Sequence, residues 1–286
     1  MSIETAYAYE FDSDFSPRYS LLDDEIEQTT ESFLSQQEEH HDSRYLCYAV
    51  GYDTPMSNAA RSVERAVFDE AFGNNSEQMT EEYGPYESSS TFLVAIDSEK
   101  KMPAGVIRMI QYSEAGLKSI NDLQSVLDID VQSFQDREGI QDLEKVWDVG
   151  TLAVLPEYRG FDNRFEVSSK LYRSLFLFGE SVDAQHMVTI LDSKALKGLD
   201  LLGVPFKALE GTEAFAYLGS EKSFAMVGDF RKFQSSVLGR SEEMAEEAKL
   251  RLKNMLNPKE MIRKRIIARI AGSLATGKNI DSDIYI

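Results

Sequence analysis

Between residues 44 and 235, short apolar runs alternate with segments whose apolar positions recur every three or four residues. The runs are typical of strands and the three-to-four spacing is typical of helices. Strands are predicted at 45–50, 91–96, 104–110, 146–155 and 187–191, and near Phe206, Phe215 and 224–227. Helices are predicted at 57–73, within 119–139, at 166–179 and up to Leu202. This order predicts an α/β (α+β) fold with a mixed, mostly antiparallel central sheet flanked by helices.

The two ends of the chain have opposite charge. Residues 1–43 contain twelve acidic side chains and one basic one, Arg18, so we expect an acidic, loosely ordered leader outside the core. Residues 236–286 form a helical, basic C-terminal extension. Within it, Asn257 followed by Pro258 and Glu260 is a helix-start pattern, and the helix that follows has a basic face. The predicted divisions are therefore 1–43, 44–235 and 236–286.

Composition excludes several classes of protein. A formal net charge of −19 disfavours nucleic-acid binding, which needs clustered cations. Cys47 is the only cysteine, so neither a disulfide framework nor a thiolate metal cluster is expected, and we predict no metal site. We find no apolar run of membrane-spanning length and no signal peptide in these residues, so the expected location is the cytoplasm.

The segment from Asp148 to Gly160, DVGTLAVLPEYRG, combines the strongest strand signal with a Pro-Glu-Tyr-Arg-Gly turn, and a helix follows it. It resembles the acyl-CoA-binding core of the GNAT (Gcn5-related N-acetyltransferase) family. That resemblance implies a GNAT-like fold in which the strand edge pairs with the pantetheine arm and the next helix receives the pyrophosphate on its amino-terminal amides. The residues implied are Leu152, Ala153 and Val154 for the arm, and Arg159, Gly160, Arg164, Ser168 and Ser169 for the diphosphate.

The loop departs from the family pattern. Asp162 stands where the second glycine of the family loop would fall, and an acid there opposes a phosphate. We interpret the loop as several residues longer than usual, with Arg164 supplying charge. The segments ARSVERAVF, EEYGPYE and AGVIRMI, within residues 60–110, also resemble the branch that contains acyl-homoserine-lactone and N-acyl amino acid synthases. Members of that branch likewise lack the ideal glycine loop.

A second family signature resembles residues 191–206. Asp192, Ala195 and Gly203 fall in register with its Asn-x-x-Ala and Gly positions, which adds Asp192 to the expected cofactor-binding residues. Leu199 replaces the tyrosine that often protonates the departing thiolate in the family. A thiolate with a pKa near 8 to 9 leaves without that help.

The resemblance also places Asp148 where the family often has a general base. An amine nucleophile must lose a proton before it attacks a thioester, and a carboxylate assists that step. On a regular strand, Asp148 shares a face with Gly150, Leu152 and Val154. A salt-bridged or solvent-facing acid at the start of a strand is the structural alternative.

These patterns predict transfer of an acyl group, acetyl by default, from acyl-CoA to a small-molecule or protein amine by direct attack in a ternary complex. Two alternatives remain. One is a fatty-acyl synthase of the autoinducer or N-acyl amino acid type, with an acyl carrier protein as donor docked on the basic C-terminal helix. The other is a non-catalytic acyl-CoA or protein-binding module. Acetyl-CoA or a longer acyl-CoA is the expected co-substrate.

Overall fold

The computed structural model describes residues 15–37, 43–160, 163, 165–253 and 257–286, and for 251–253 it describes the backbone alone. In these ranges no helix has both the length and the apolar content needed to cross a membrane.

Helices and strands alternate along the described chain largely as predicted. The helices are α1 (Asp23–Ser35), α2 (Pro55–Phe72), α3 (Ser76–Tyr83), α4 (Lys118–Leu127), α5 (Val131–Glu138), α6 (Glu166–Ser181), α7 (Ser193–Leu202), α8 (Phe233–Lys253) and α9 (Pro258–Thr276). The strands are β1 (Tyr45–Gly51), β2 (Ser90–Asp97), β3 (Met102–Gln111), β4 (Val146–Val154), β5 (His186–Asp192), β6 (Phe206–Ala208), β7 (Phe215–Tyr217), β8 (Ser220–Asp229) and β9 (Ile284–Tyr285).

The strands form one mixed sheet in the order β6-β8-β5-β4-β3-β2-β1-β9, and β7 pairs with β8 beside it. The β4–β5 and β1–β9 pairs are parallel, and the other described pairs are antiparallel. Helices α6 and α9 contribute to the core on one face, whereas α1 and α2 cover the strands on the other. The predicted fold class is confirmed.

Part of the predicted acidic leader belongs to the packed core. Helix α1 buries Ile26 and Phe33 in a cluster with β1 and α2, and the Phe33 ring meets Tyr48 edge-on at 5.0 Å between centroids. The sequence expectation of loose order outside the core therefore does not hold for 23–35. The acids dominate the composition, but the apolar residues lie on one side of the helix and are enough to anchor it.

The basic C-terminal segment also packs on the sheet. The Asn257 side chain accepts a hydrogen bond from the Glu260 amide at 3.4 Å, which confirms the predicted start of α9. Ile270 and Leu274 of α9 lie in the same core cluster as α6. Beyond α9, Asp281 forms a bidentate pair with Arg173 of α6, with both distances 2.7 Å.

A network of buried charges joins α2, β3 and the turn before β2. Arg108 donates to both oxygens of Glu64, at 3.1 and 2.6 Å, and to Glu87 at 3.1 Å. Arg61 donates to the other Glu87 oxygen at 2.5 Å. The side chains of Arg108 and Glu64 are both 0% exposed. Each charge in this network is matched by a partner, as buried charges must be.

We expect Arg108→Met to lower the free energy of unfolding by about 3–5 kcal/mol, because it leaves the Glu64 carboxylate buried without its partner. Arg18→Met is the matched control. Its pair with Glu25 is exposed and screened by solvent, so its loss should have a much smaller effect. Urea unfolding of both variants measures the difference, and equal losses would contradict the importance of the buried network.

Candidate functional site

A cleft opens where β4 and β5 separate. The two strands pair in parallel over three residues each, from Val146 opposite His186 to Asp148 opposite Val188. Just beyond the last pair, the Thr189 hydroxyl donates to the Val149 carbonyl at 2.8 Å, and this bond lies at the point where the two strands diverge. The cleft is lined by β4, β5, α2, the end of α3, the start of α7 and the β7–β8 hairpin. Its apolar wall comprises Phe68, Phe72, Val149, Leu152, Ile190, Leu191, Ala195 and Leu218.

A β-bulge in β4 lies next to the point where β4 and β5 diverge. On β3, Met109 pairs with Val149 and Arg108 pairs with Thr151, so Gly150 is the extra residue of β4. A bulge reverses which side chains face which side of the sheet. The Tyr83 hydroxyl donates to the Gly150 carbonyl at 3.0 Å, which ties the bulge to α3.

The bulge overturns the predicted grouping of Asp148 with Leu152 and Val154 on one face. Leu152 and Val154 pack in the core cluster that includes α6. Asp148 lies on the other side of the sheet, where it accepts hydrogen bonds from the amide and the hydroxyl of Ser119, at 2.5 and 2.8 Å. One inserted residue is enough for this change, because side chains alternate along a strand.

Asp148 is fully buried and anchors the start of α4. Burial raises its pKa to about 7, although the two hydrogen bonds from Ser119 act in the opposite direction. A general base must come within hydrogen-bonding distance of the proton that it removes. Both oxygens of this carboxylate are engaged by Ser119 and its side chain is 0% exposed, so the geometry assigns it a structural contact.

The three residues expected beside pantetheine occupy the end of β4 that is separated from β5. β3 pairs with this segment on one side, from Leu152 to Val154. Ala153 packs toward α2, on the opposite face from its two neighbours. The edge of β4 that faces the cleft is thus not paired with β5, whose described pairing stops at Val188.

The turn after β4 is held by side-chain hydrogen bonds to its main-chain carbonyls. Arg159 donates from Nε to the Val154 carbonyl at 2.5 Å, its terminal nitrogen lies 3.6 Å from Glu70, and its side chain is 43% exposed. Gly160 has a φ of +83°, which a glycine adopts readily. The side-chain amide of Asn163 donates to the main-chain carbonyls of Glu157 and Arg159, at 2.6 and 3.1 Å. Arg164 lies outside the described residues.

Helix α6 begins immediately after this turn. The main-chain amide of Glu166, the first residue of α6, donates to the Asn163 carbonyl at 3.0 Å. The Ser169 amide donates to the Phe165 carbonyl at 2.8 Å. Ser168 and Ser169 are buried in the first turn. Among the described residues no main-chain carbonyl accepts from the Val167 or Ser168 amide, although the residue four positions before Ser168 lies outside them. Amides in the first turn of a helix bind anions.

Asp192 caps α7. One of its carboxylate oxygens accepts from the amides of Lys194 and Ala195, at 2.6 and 3.1 Å, so its first role is to begin this helix. It also lines the cleft. Leu199 is buried in the core, at the position where the family often has a tyrosine. A direct contact between Asp192 and CoA stays a prediction.

Two tyrosines that the sequence analysis did not identify line the cleft, Tyr83 and Tyr217. The Tyr217 hydroxyl donates to Asp122 at 2.5 Å and lies 3.0 Å from the buried ammonium of Lys118. Burial raises the pKa of Tyr217, so its hydroxyl stays protonated. Tyr83 lies within the segment that resembles the synthase branch and Tyr217 in no quoted motif, and only the tertiary structure brings α3 and β7 to the same cleft.

Lys118 connects these groups. Its ammonium lies 2.7 Å from both Glu82 and Asp122 and 5.0 Å from the centroid of the Tyr83 ring. Burial lowers the pKa of this ammonium, but its interactions with Tyr217, Asp122 and Glu82 together raise the pKa by more, so the ammonium stays charged. In the described part of the chain, no three His, Cys, Asp or Glu side chains are arranged to hold a metal ion.

No protein-family model and no curated protein matches this chain. Solved structures to which it is similar include FeeM, an N-acyl amino acid synthase from uncultured soil microbes, at 15% identity over 68% of this chain and 94% of that chain, with a TM-score of 0.49. A CoA-dependent acyl-homoserine lactone synthase, BjaI, matches at 11% identity over 78% and 99%, with a TM-score of 0.42. An IAA acetyltransferase from Bacillus cereus matches at 9% over 65% and 99%, with a TM-score of 0.38. Identities this low leave the activity to be inferred from the residues of the chain itself.

We expect the stability of the protein to fall between about pH 4 and pH 7 because of Asp148. Its pKa is about 7 in the folded protein against an ordinary value of 3.8, so the folded state binds the proton more tightly and loses that advantage as the pH rises. Asp148→Asn keeps an acceptor for the Ser119 amide and removes the titration. Unfolding free energies across this range should therefore fall more steeply in the wild type, by up to about 1 kcal/mol per pH unit.

Asp130→Asn is the control for this experiment. Asp130 is exposed, and its hydrogen bonds from Ser133 lower its pKa, so its contribution to stability is lost only as the pH falls below about 4. Parallel stability curves for the wild type and Asp148→Asn would show that the carboxyl does not titrate in this range.

Proposed function

We propose that this protein is an acyl-CoA-dependent N-acyltransferase that moves an acyl group, acetyl by default, directly to an amine. The observation that carries the proposal is the separation of β4 from β5 directly before the turn that leads into α6. An unpaired strand edge and a helix N-terminus in succession match the two polar parts of coenzyme A, the amides of its arm and its diphosphate.

The donor lies along the end of β4 in this proposal. Leu152 to Val154 supply the strand edge, and Arg159 and the Val167 and Ser168 amides receive the diphosphate. The Arg159 side chain is 43% exposed beside Glu70, and a phosphate bound to it competes with that carboxylate. Glu166, exposed in the same turn, opposes the diphosphate and weakens binding without preventing it.

The chemistry needs no covalent enzyme intermediate. Cys47 is fully buried in the core, away from the cleft, and its thiol pKa is raised by burial. In direct attack the amine nitrogen forms a bond to the acyl carbon, the carbon–sulfur bond breaks and the amine proton passes to water or a carboxylate. Main-chain amides beyond the Gly150 bulge polarise the thioester carbonyl. The thiolate departs and is protonated from solvent.

We expect acetyl-CoA to stabilise the protein against heat, because a ligand present at 100 times its dissociation constant adds about 2.7 kcal/mol of stability. Arg159→Ala should weaken CoA binding about tenfold or more, through the loss of a charge-assisted contact. Arg231→Ala is the control: this exposed arginine pairs with Asp229 at the other end of the sheet. Titration calorimetry with CoA measures both effects.

Equal affinity in the wild type and Arg159→Ala would remove the diphosphate assignment. Binding of acetyl-CoA without transfer to any amine, tested on a panel of small amines and lysine peptides, would favour the non-catalytic module. Failure of every acyl-CoA to bind would contradict the proposal as a whole.

A second candidate, a fatty-acyl synthase served by an acyl carrier protein, is favoured by the exposed face of α9. Ile262, Arg265, Ile266 and Arg269 line one groove there. Arg269 also borders a cavity formed with Glu166 and Ser169 of the first turn of α6. An acidic partner held on this face would deliver its arm close to the proposed donor site.

Under this alternative, Arg265→Glu slows acyl transfer from an acyl carrier protein about tenfold and leaves transfer from the matching acyl-CoA unchanged, because charge reversal acts on the encounter of the two proteins. Lys232→Glu, a reversal at an exposed position at the other end of the sheet, is the control. Initial rates with both donors decide between the candidates, and equal effects on both would exclude this docking surface.

A further inference from the structure

The turn between β7 and β8 has a backbone conformation that its sequence does not favour. Tyr217 pairs with Ser220, so Leu218 and Gly219 form a two-residue hairpin turn. Their φ angles are +43° and +84°. Such turns are usually formed by Asn-Gly or Asp-Gly, because a branched apolar side chain is unfavourable at positive φ. Leu218 adopts the conformation nonetheless, and its side chain lines the cleft.

The end of α2 holds this turn in place. The side-chain amide of Asn74 donates to the Leu218 carbonyl at 3.3 Å, and Asn74 is itself buried. Gly219 lies so close to Phe72 that a Cβ atom added at Gly219 would be 2.8 Å from the Phe72 carbonyl oxygen. The tip of the hairpin is therefore clamped against α2, and an unfavourable residue conformation is maintained by its surroundings.

The result is an apolar end wall for the cleft. Phe68 and Phe72 of α2 face the cleft together with Leu218, on the side of the sheet away from α6. The free volume of the cleft is about 60 Å³. This is well below the volume of sites for larger ligands, about 300–1,000 Å³. An apolar wall of this kind suits a short hydrocarbon group and disfavours a charged amine.

We propose that Leu218, backed by Phe72, is the specificity-determining residue for the acyl group and restricts the donor to short chains of about two to four carbons. This rests on the proposed transferase function. An acyl chain that passes between β4 and β5 from the α6 side runs into Leu218, because Asn74 and Phe72 prevent the hairpin from moving aside. The unfavourable φ of Leu218 is then the cost of placing an apolar side chain at this point.

Leu218→Gly tests the proposal without a penalty to folding, since glycine accepts the positive φ and the variant should have an unchanged or higher melting temperature. Affinities for acetyl-, butanoyl-, hexanoyl-, octanoyl- and decanoyl-CoA are measured by titration for each protein. In the wild type, octanoyl-CoA should bind about tenfold or more weakly than acetyl-CoA. In Leu218→Gly the longest acyl chain that binds as tightly as acetyl should lengthen by two to four carbons. Phe72→Ala, a second variant, should move it in the same direction.

Asp128→Gly is the matched control. Asp128 is an exposed residue at φ +56° after α4, so this change relieves the same kind of backbone strain away from the cleft and should leave the chain-length profile unaltered. If both cleft variants fold and bind with the wild-type profile, or if the wild type already prefers decanoyl-CoA, the proposal is overturned and the transferase function stands. If no acyl-CoA binds any of the proteins, both are overturned.

Discussion

The separation of β4 from β5 is the constraint on which the rest of the site depends. Pairing with β3 continues to Val154, so the end of β4 stays extended and fixed after β5 has left it. Beyond that point β4 has no described pairing with β5; the carbonyls of Gly150 and Val154 accept from Tyr83 and Arg159, and any main-chain group there without such a donor or acceptor requires water or a ligand. The Thr189 hydroxyl, bonded to the Val149 carbonyl, marks the last point at which the two strands are joined.

Both walls of the cleft are attached to rigid parts of the core. Thr151, the residue after the bulge, donates a hydrogen bond to Glu64, which links β4 to the buried network around Arg108. Tyr83 fixes the Gly150 carbonyl from α3. On the other face of the sheet, Arg173 of α6 pairs with Asp281, so segments from the acidic and basic ends of the chain each pack on one face.

The sequence was a good guide where the signal was local. Apolar periodicity located β4 and α6, and the Asn-Pro-x-Glu pattern gave the start of α9. The bulge at Gly150 was not visible, because a single extra residue leaves the apolar pattern of a strand almost unchanged, and the placement of Asp148 failed with it. Asp192 caps α7, a role that an Asp before a helix signals locally, and its contact with CoA stays a prediction.

Long-range contacts account for the other differences. Helix α1 was expected to lie outside the core because its segment is rich in acids, yet Ile26 and Phe33 are sufficient to dock it. Tyr217 reaches the cleft only through the fold of the β7–β8 hairpin, and its interaction with Lys118 joins residues nearly one hundred positions apart in the chain. Neither relationship has a sequence motif. The residues that shape the cleft are thus the ones that tertiary structure alone brings together.

Amide hydrogen exchange with and without acetyl-CoA tests the central claim most directly, because it reports which backbone segments a ligand protects. Binding in the cleft predicts slower exchange in two separate segments, the end of β4 from 150 to 154 and the first turn of α6 at Val167 and Ser168. Protection confined to other parts of the protein, such as the polar cavity bordered by Glu138 and His186, would contradict the account.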